Sequence, residues 1–324
     1  MKRIIPLCLA LIMTVGLLAG CGKQNEPAAS DETRLRVVTT IFPEYDWVRE
    51  ILGDKADNAE VTMLLDNGVD LHSYQPTADD IVKISECDLF IYVGGESDDW
   101  VDDALKNAAN KNMKVINLLE ALGERVKTEE VVEGMQEEEH DHEEEAEYDE
   151  HVWLSLKNAQ TLCSAISSVL QQIDPDNKDT YAANASAYIK KLSALDADYQ
   201  AAVDAAARKT VLFGDRFPFR YLAEDYGLRY YAAFAGCSAE SEASFETISF
   251  LAGKADELNL PCVLTIEGVQ HKIAETIVRN TAAKNQKVLM MDSMQSTTSK
   301  DAANGATYLS VMEQNLSVLK EALG

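Results

Sequence analysis

Short apolar, β-branched runs alternate with amphipathic stretches in two blocks of this chain. In the first block, Leu35 to Thr40 predicts a strand and Pro43 to Leu52 a helix. Glu60 to Leu65 and Asp88 to Val93 predict strands, with a helix from Thr77 to Glu86 between them. A helix over Asp98 to Ala109 and a strand over Lys114 to Leu118 complete the block. The second block repeats the logic, with strands at Thr210 to Gly214, Leu228 to Ala232, Cys262 to Ile266 and Lys287 to Met291. Its helices are Phe217 to Tyr226, Ser244 to Leu258, His271 to Ala283 and Thr307 to Leu323. Short strands separated by helical stretches of about ten residues are the signature of a parallel α/β sheet.

A helical region separates the blocks. Leu156 to Gln172 reads as one helix, broken by Asp174-Pro175-Asp176. From Asp179 to Arg208, the residues Tyr181, Ala185, Tyr188, Leu192, Leu195, Tyr199 and Ala202 recur at three- and four-residue steps, with no Gly or Pro. That is one apolar stripe on a long helix, a stiff connector across two lobes. The expected fold is therefore α/β: two lobes, each a mainly parallel β-sheet flanked by helices, joined by one long rigid helix.

The N-terminus has the pattern of a targeting segment, not of the fold. Lys2 and Arg3 precede a continuous apolar stretch from Ile4 to Leu18, short for a membrane-spanning helix. Leu18-Ala19-Gly20-Cys21 resembles a bacterial lipobox, with cleavage before Cys21 and lipid on its thiol, although a plain signal peptide with an incidental Cys21 fits the same residues. The expected organisation is a lipoprotein signal peptide over 1–20, a polar tether over 21–33 and an N-terminal lobe over 34–155 that includes an acidic loop at 124–150. A helical connector follows over 156–208, and a C-terminal lobe over 209–324.

With 46% hydrophobic content, the 324 residues suffice for a full core of about two ordinary domains. A net charge of -26 repels phosphate backbones and excludes nucleic acid as a partner, while concentrating cations near the surface. Beyond Cys8 and Cys21, the cysteines at 87, 163, 237 and 262 are widely spaced and form no CxxC pair. They read as small buried apolar residues, with a disulfide left open.

Only five histidines are present, so their positions matter. His72 lies just past the second strand, at the edge where open α/β sheets bind ligands. His151 sits at the entry to the helix after the acidic loop. The plainer readings are a solvated loop histidine and a helix-entry histidine that packs or caps. Neutral imidazoles meeting in a cleft would suit Zn, Mn, Fe, Cu or Ni. No HExxH pair is present, so a metalloprotease helix is not signalled. His140 and His142 stand within a run of acids from Glu137 to Glu145. Such a run cannot bury itself; it is a solubilising loop or a weak metal-gathering arm. Three acids follow strands of the second block, Asp215, Glu267 and Asp292. Each could cap a helix or bind a ligand, and Asp292 leads as a metal ligand.

Several motifs occur in a specific order: Gly68-x-Asp70-x-His72-x-Tyr74-x-Pro76, Tyr92-x-Gly94-Gly95 with Trp100, the acidic His loop, and His151-x-Trp153-Leu154. The Tyr181/Asn184/Tyr188/Leu192 helix, Tyr226-Gly227-Leu228, and Val288 to Asp292 follow. Together they resemble the cluster A-I solute-binding lipoproteins of ABC importers for zinc and manganese, specifically the zinc type, over nearly all of residues 34 to 324. The resemblance implies a non-enzymatic receptor outside the cytoplasm, held to the bacterial membrane by lipid on Cys21. It implies a monomer that binds Zn²⁺, with Mn²⁺ the alternative, between the lobes and delivers it to an ABC permease and ATPase. It carries over His72 and His151 from the first lobe and Asp292 from the second as ligands, and gives His140 and His142 a metal-gathering role. A surface hydrolase and an adhesin are the competing classes. One departure stands out: zinc-type relatives place a third ligand histidine where this chain has Arg216, which cannot ligate. Asp215, Glu267, Glu240, or a loop histidine folding over, are the expected substitutes.

Overall fold

Each block folds into a four-stranded, all-parallel sheet. The first contains β1 (Leu35–Thr39), β2 (Ala59–Met63), β3 (Leu89–Tyr92) and β4 (Lys114–Asn117) in the order β2-β1-β3-β4. The second contains β5 (Thr210–Arg216), β6 (Arg229–Phe234), β7 (Cys262–Thr265) and β8 (Lys287–Met290) in the order β6-β5-β7-β8. The two sheets share one topology, and in each the order reverses beside the first strand. Such a switch point opens a crevice at the carboxyl ends of the strands. The computed structural model describes residues 34–136, 147–238, 242–268 and 271–324. The expected signal peptide, the tether with Cys21, the loop histidines His140 and His142, and Glu240 lie outside the described residues.

The helices follow the hydrophobic pattern closely. In the first lobe they are α1 (Phe42–Leu52), α2 (Ala78–Glu86), α3 (Trp100–Lys106) and α4 (Leu118–Leu122). The connector comprises α5 (Leu156–Ile173) and α6 (Lys178–Ala205). The second lobe adds α7 (Arg220–Tyr226), α8 (Phe245–Glu257), α9 (Lys272–Asn280), α10 (Ser299–Ala303) and α11 (Tyr308–Leu323). Three departures have local causes. The helix expected from Asp98 begins as a 3-10 turn over Glu96–Asp98, because the Asp98 carboxylate accepts from the Gly94 amide and pulls the turn tight. The helix expected from Phe217 starts at Arg220, because β5 continues through Asp215 and Arg216. The five-residue α4 and α10 are too short to show a helical period.

The stripe on α6 is buried at Tyr181, Ala185, Tyr188, Leu192, Leu195, Tyr199 and, in place of Ala202, Val203. It packs into a hydrophobic core that also takes in Val37, Phe90 and Trp153 of the first lobe and Phe213 and Leu264 of the second. The C-terminal helix crosses between them. The Tyr308 amide donates to Asp46 of α1 at 2.9 Å, its hydroxyl donates to the Trp153 carbonyl at 2.7 Å, and its ring meets Trp47 edge-on.

Acids are also buried in the first lobe. Glu44 is fully enclosed in α1; its Oε2 accepts from the Thr40 amide at 2.8 Å and from the Ile41 amide at 3.3 Å, and its Oε1 has no partner. Burial raises its pKa from 4.5 to about 8. Asp98 is raised to about 7 by the same cause. Between the unfolded and folded values the folded chain binds more protons than the unfolded chain, so stability present at low pH is lost as pH rises through the folded pKa. A tenfold difference in proton affinity between the two states is worth roughly 1.4 kcal/mol. The metal-free chain is therefore expected to melt lower at pH 9 than at pH 6, and Glu44→Gln to reduce that slope. Thermal melts with the same pH slope in wild type and variant would contradict this.

Candidate metal centre

The loop after β2 carries the first imidazole. Asp70 opens a 3-10 turn by accepting from the His72 amide at 3.0 Å, which sets His72 at the crevice edge. The His72 Nδ1 meets the Ser97 hydroxyl, from the loop after β3, at 2.9 Å. It also lies 3.5 Å from a Glu150 carboxylate oxygen. The other Glu150 oxygen accepts from the Ser97 amide at 2.9 Å. Glu150 comes close enough only because residue 95 is glycine: its φ is +83°, and a Cβ there would collide with Glu150 Oε1.

The second imidazole is completely buried at the entry to α5. Asp149 Oδ1 accepts from the His151 amide at 2.9 Å and lies 3.0 Å from its Nδ1. Ser155 then caps α5 by accepting from the Asn158 amide. A carboxylate on Nδ1 fixes the tautomer and turns Nε2 outward, the arrangement that orients a metal-ligating histidine. The two Nε2 atoms face each other at 3.2 Å. Zinc–nitrogen bonds of roughly 2.0–2.1 Å at a tetrahedral angle put two such nitrogens about 3.3 Å apart, so this spacing is that of two ligands to one ion.

Burial, and then the facing His151, push the His72 pKa well down. Burial also works against charge on His151, but the Asp149 hydrogen bond and charge outweigh it and raise its pKa. His72 is therefore the neutral partner, with its Nε2 free to accept. Glu150 is raised by burial, against the bonds from Ser97.

The second lobe arrives differently from the sequence expectation. Asp215, Glu267 and Asp292 do lie at the ends of β5, β7 and β8, but their side chains are engaged locally. Asp215 Oδ2 accepts from the Thr265 hydroxyl at 2.7 Å. Glu267 accepts from the Ser293 amide and hydroxyl, both at 2.7 Å, and from the Gln295 amide at 3.1 Å. Asp292 Oδ1 accepts from the Met294 amide at 2.7 Å, and burial followed by repulsion from Glu267 raises its pKa to about 6. Among the described residues, the ligating side chains that gather are His72, His151 and Cys237, their donor atoms all within 4.8 Å of one another. The three acids fall outside that group. Cys237, expected to be a small core residue, is half-buried beside the imidazoles, whereas Cys87, Cys163 and Cys262 are buried free thiols. No spacing motif marks it; the available signal is that it falls three residues past the end of β6, at the same edge as the acids.

Arg216, where relatives are expected to have a third histidine, bridges the lobes. Its guanidinium donates to Asp70 at 2.6 Å and to the Ser238 carbonyl at 3.4 Å. Burial opposes ionisation of Asp70, but the charge of Arg216, its hydrogen bond and the bond from the His72 amide hold the Asp70 pKa below the usual carboxylate value.

A family model described as zinc-uptake complex component A, periplasmic, matches residues 37–322. The chain belongs to this zinc-uptake family. Zinc-binding lipoprotein AdcA of Streptococcus pneumoniae serotype 4 is 33% identical over 326 residues, which span 99% of this chain and 61% of the relative. The high-affinity zinc uptake system protein ZnuA of Bacillus subtilis is 32% identical over 317 residues, 95% of this chain and 94% of that protein. The chain thus spans under two thirds of the streptococcal relative and nearly all of the Bacillus one. Among solved structures, the Zn(II)-bound ZnuA-like domain of Streptococcus pneumoniae AdcA aligns with a TM-score of 0.69 at 30% identity, covering 90% of this chain and 99% of that one. The metal-dependent lipoprotein YcdH of Bacillus subtilis aligns at 0.71 and 30% identity, with coverage of 90% and 99%. These likenesses bear out the two-lobed α/β architecture read from the strand and helix pattern.

Proposed function

We propose that the chain is the extracytoplasmic solute-binding component of an ABC importer. In this reading it takes a divalent transition metal, Zn²⁺, into the crevice between the lobes and presents it to a permease. The observation that carries this is the pair of imidazole Nε2 atoms 3.2 Å apart, each with its Nδ1 already engaged. The ion is cargo, not a catalyst. Binding needs only loss of protons from the ligating groups, and release needs only a change in ligand geometry on docking. Family membership and the zinc-binding relatives support the assignment.

The chain's own residues prepare the site. Asp149 and Ser97 hold the rings, Glu150 braces Ser97, and Arg216 keeps Asp70 ionised beside His72. Asp292 remains the carboxylate proposed to join the coordination from the second lobe. The acidic segment with His140 and His142 is assigned the collection of metal at low affinity, and lipid on Cys21 the anchoring to the membrane.

Calorimetric titration of the metal-stripped chain with Zn²⁺ tests this. The expected isotherm has one tight site plus weaker sites, and replacing residues 137–146 by a short Gly-Ser linker removes the weak sites alone. Absence of a tight one-to-one site in wild type would defeat the receptor reading. Loss of the tight site in the linker variant would instead move a primary ligand into the loop.

A further inference from the structure

Arg216 is tied to Asp70 and cannot ligate, and the three strand-end acids are engaged locally and not gathered at the imidazoles. A sulfur stands there instead. Cys237 lies in the loop after β6, and its Sγ is within 4.8 Å of ligating nitrogens of both His72 and His151. Two features hold it in place. The Cys237 amide donates to Glu129 Oε1 at 2.7 Å, tying this loop to the segment that leads into the acidic region. The preceding Gly236 lets the backbone pass against His151: a Cβ at 236 would sit 3.1 Å from both Cε1 and Nδ1 of that ring. A larger residue would push the thiol away from the imidazoles. The other three described cysteines are buried elsewhere as free thiols.

We propose that Cys237 also joins the site from the second lobe, supplying a thiolate to the metal held by His72 and His151 and leaving the fourth position to the Asp292 carboxylate, so that the crevice takes a borderline-soft ion such as Zn²⁺ in preference to Mn²⁺. This rests on the receptor reading above and deepens it. On loading, the Cys237 S–H bond breaks, a sulfur–metal bond forms and the proton leaves to water; no electron is transferred. Two imidazoles and one thiolate make a His₂Cys donor set, to which Zn²⁺ adds a fourth ligand in tetrahedral geometry. Thiolate favours Zn²⁺, whereas the oxygen-preferring Mn²⁺ gains little from it. Arg216 makes the lobe-bridging contact to Asp70, and the thiol supplies the ligation.

Cobalt substitution of the purified chain provides the test. Co²⁺ bound to wild type is expected to show visible ligand-field bands together with an intense near-ultraviolet sulfur-to-cobalt charge-transfer band. In Cys237→Ser the charge-transfer band disappears while the ligand-field bands persist in altered form. Zn²⁺ affinity, measured by chelator competition, is expected to fall in the same variant by more than the roughly 10–100-fold that loss of a supporting hydrogen bond costs. Its preference for Zn²⁺ over Mn²⁺ should narrow. Asp292→Asn retains the charge-transfer band. Ligand-field bands without charge transfer in wild type, or charge transfer that survives Cys237→Ser, would overturn the assignment of sulfur while leaving the receptor reading in place. Failure of wild type to bind Co²⁺ or Zn²⁺ at all would instead remove the receptor reading itself.

Discussion

Replacing His151 by alanine abolishes high-affinity Zn²⁺ binding in the expected result, with the secondary structure unchanged by circular dichroism. Four-ligand zinc sites have apparent binding energies on the order of 10–16 kcal/mol, so one ligand is worth roughly 3 kcal/mol, or more than about a hundredfold in Kd. His151 should exceed that share. Its ring is fully buried, its Nδ1 is committed to Asp149, and no other described imidazole faces His72. Asp149→Asn is the informative companion. It keeps the ring but weakens the contact that fixes the tautomer, and should cost an intermediate factor, roughly 10–100-fold. Chelator competition on the three proteins should therefore rank wild type above Asp149→Asn above His151→Ala. Equal affinities for wild type and His151→Ala would remove this crevice as the binding site.

Trp153→Ala is expected to destabilise the metal-free chain by about 3–5 kcal/mol, the cost of emptying a fully packed aromatic site. At this chain length that corresponds to a fall in Tm of roughly 10 °C. Trp153 is wholly buried, its indole Nε1 donates to the Ser293 carbonyl of the second lobe at 2.9 Å, and its own carbonyl accepts from Tyr308. Its ring centroid is 5.2 Å from that of His151. Trp153→Phe keeps most of the volume but orphans the Ser293 carbonyl, and should cost about 1–3 kcal/mol. Calorimetric melts give the ordering directly. If phenylalanine proved as damaging as alanine, the hydrogen bond across the lobes would matter more than the packing.

What was legible in the sequence follows from how each signal is encoded. Strands and helices repeat their apolar residues at fixed periods, so the alternation from Leu35 to Leu118 and from Thr210 to Leu323 shows in the chain itself. The long stripe on α6 is the clearest case, right to within one position at its C-terminal end. His72 and His151 stood out because histidine is scarce here and their neighbours Asp70 and Trp153 belong to recognisable motifs. Cys237 did not, because an isolated cysteine in a loop has no spacing partner, and what gives it meaning is an approach to residues 86 and 165 positions earlier. Asp292 shows the converse. Its place past β8 was readable, but not that its side chain would turn to the Met294 amide, since that depends on a backbone twist in which Met294 takes a positive φ of 63°.

The apolar core that the two lobes share also has a consequence for how loading is sensed. Proteins that swallow a solute by swinging two halves together need a pliant seam, and seams of that kind are small and polar. Here Tyr308 is fastened at once to Asp46 and Trp153, and residues of both halves pack into the same interior. A transporter docking on this surface would have to tell full from empty by the posture of the loops at the crevice mouth, those bearing residues 72, 97 and 237, rather than by the angle between the halves.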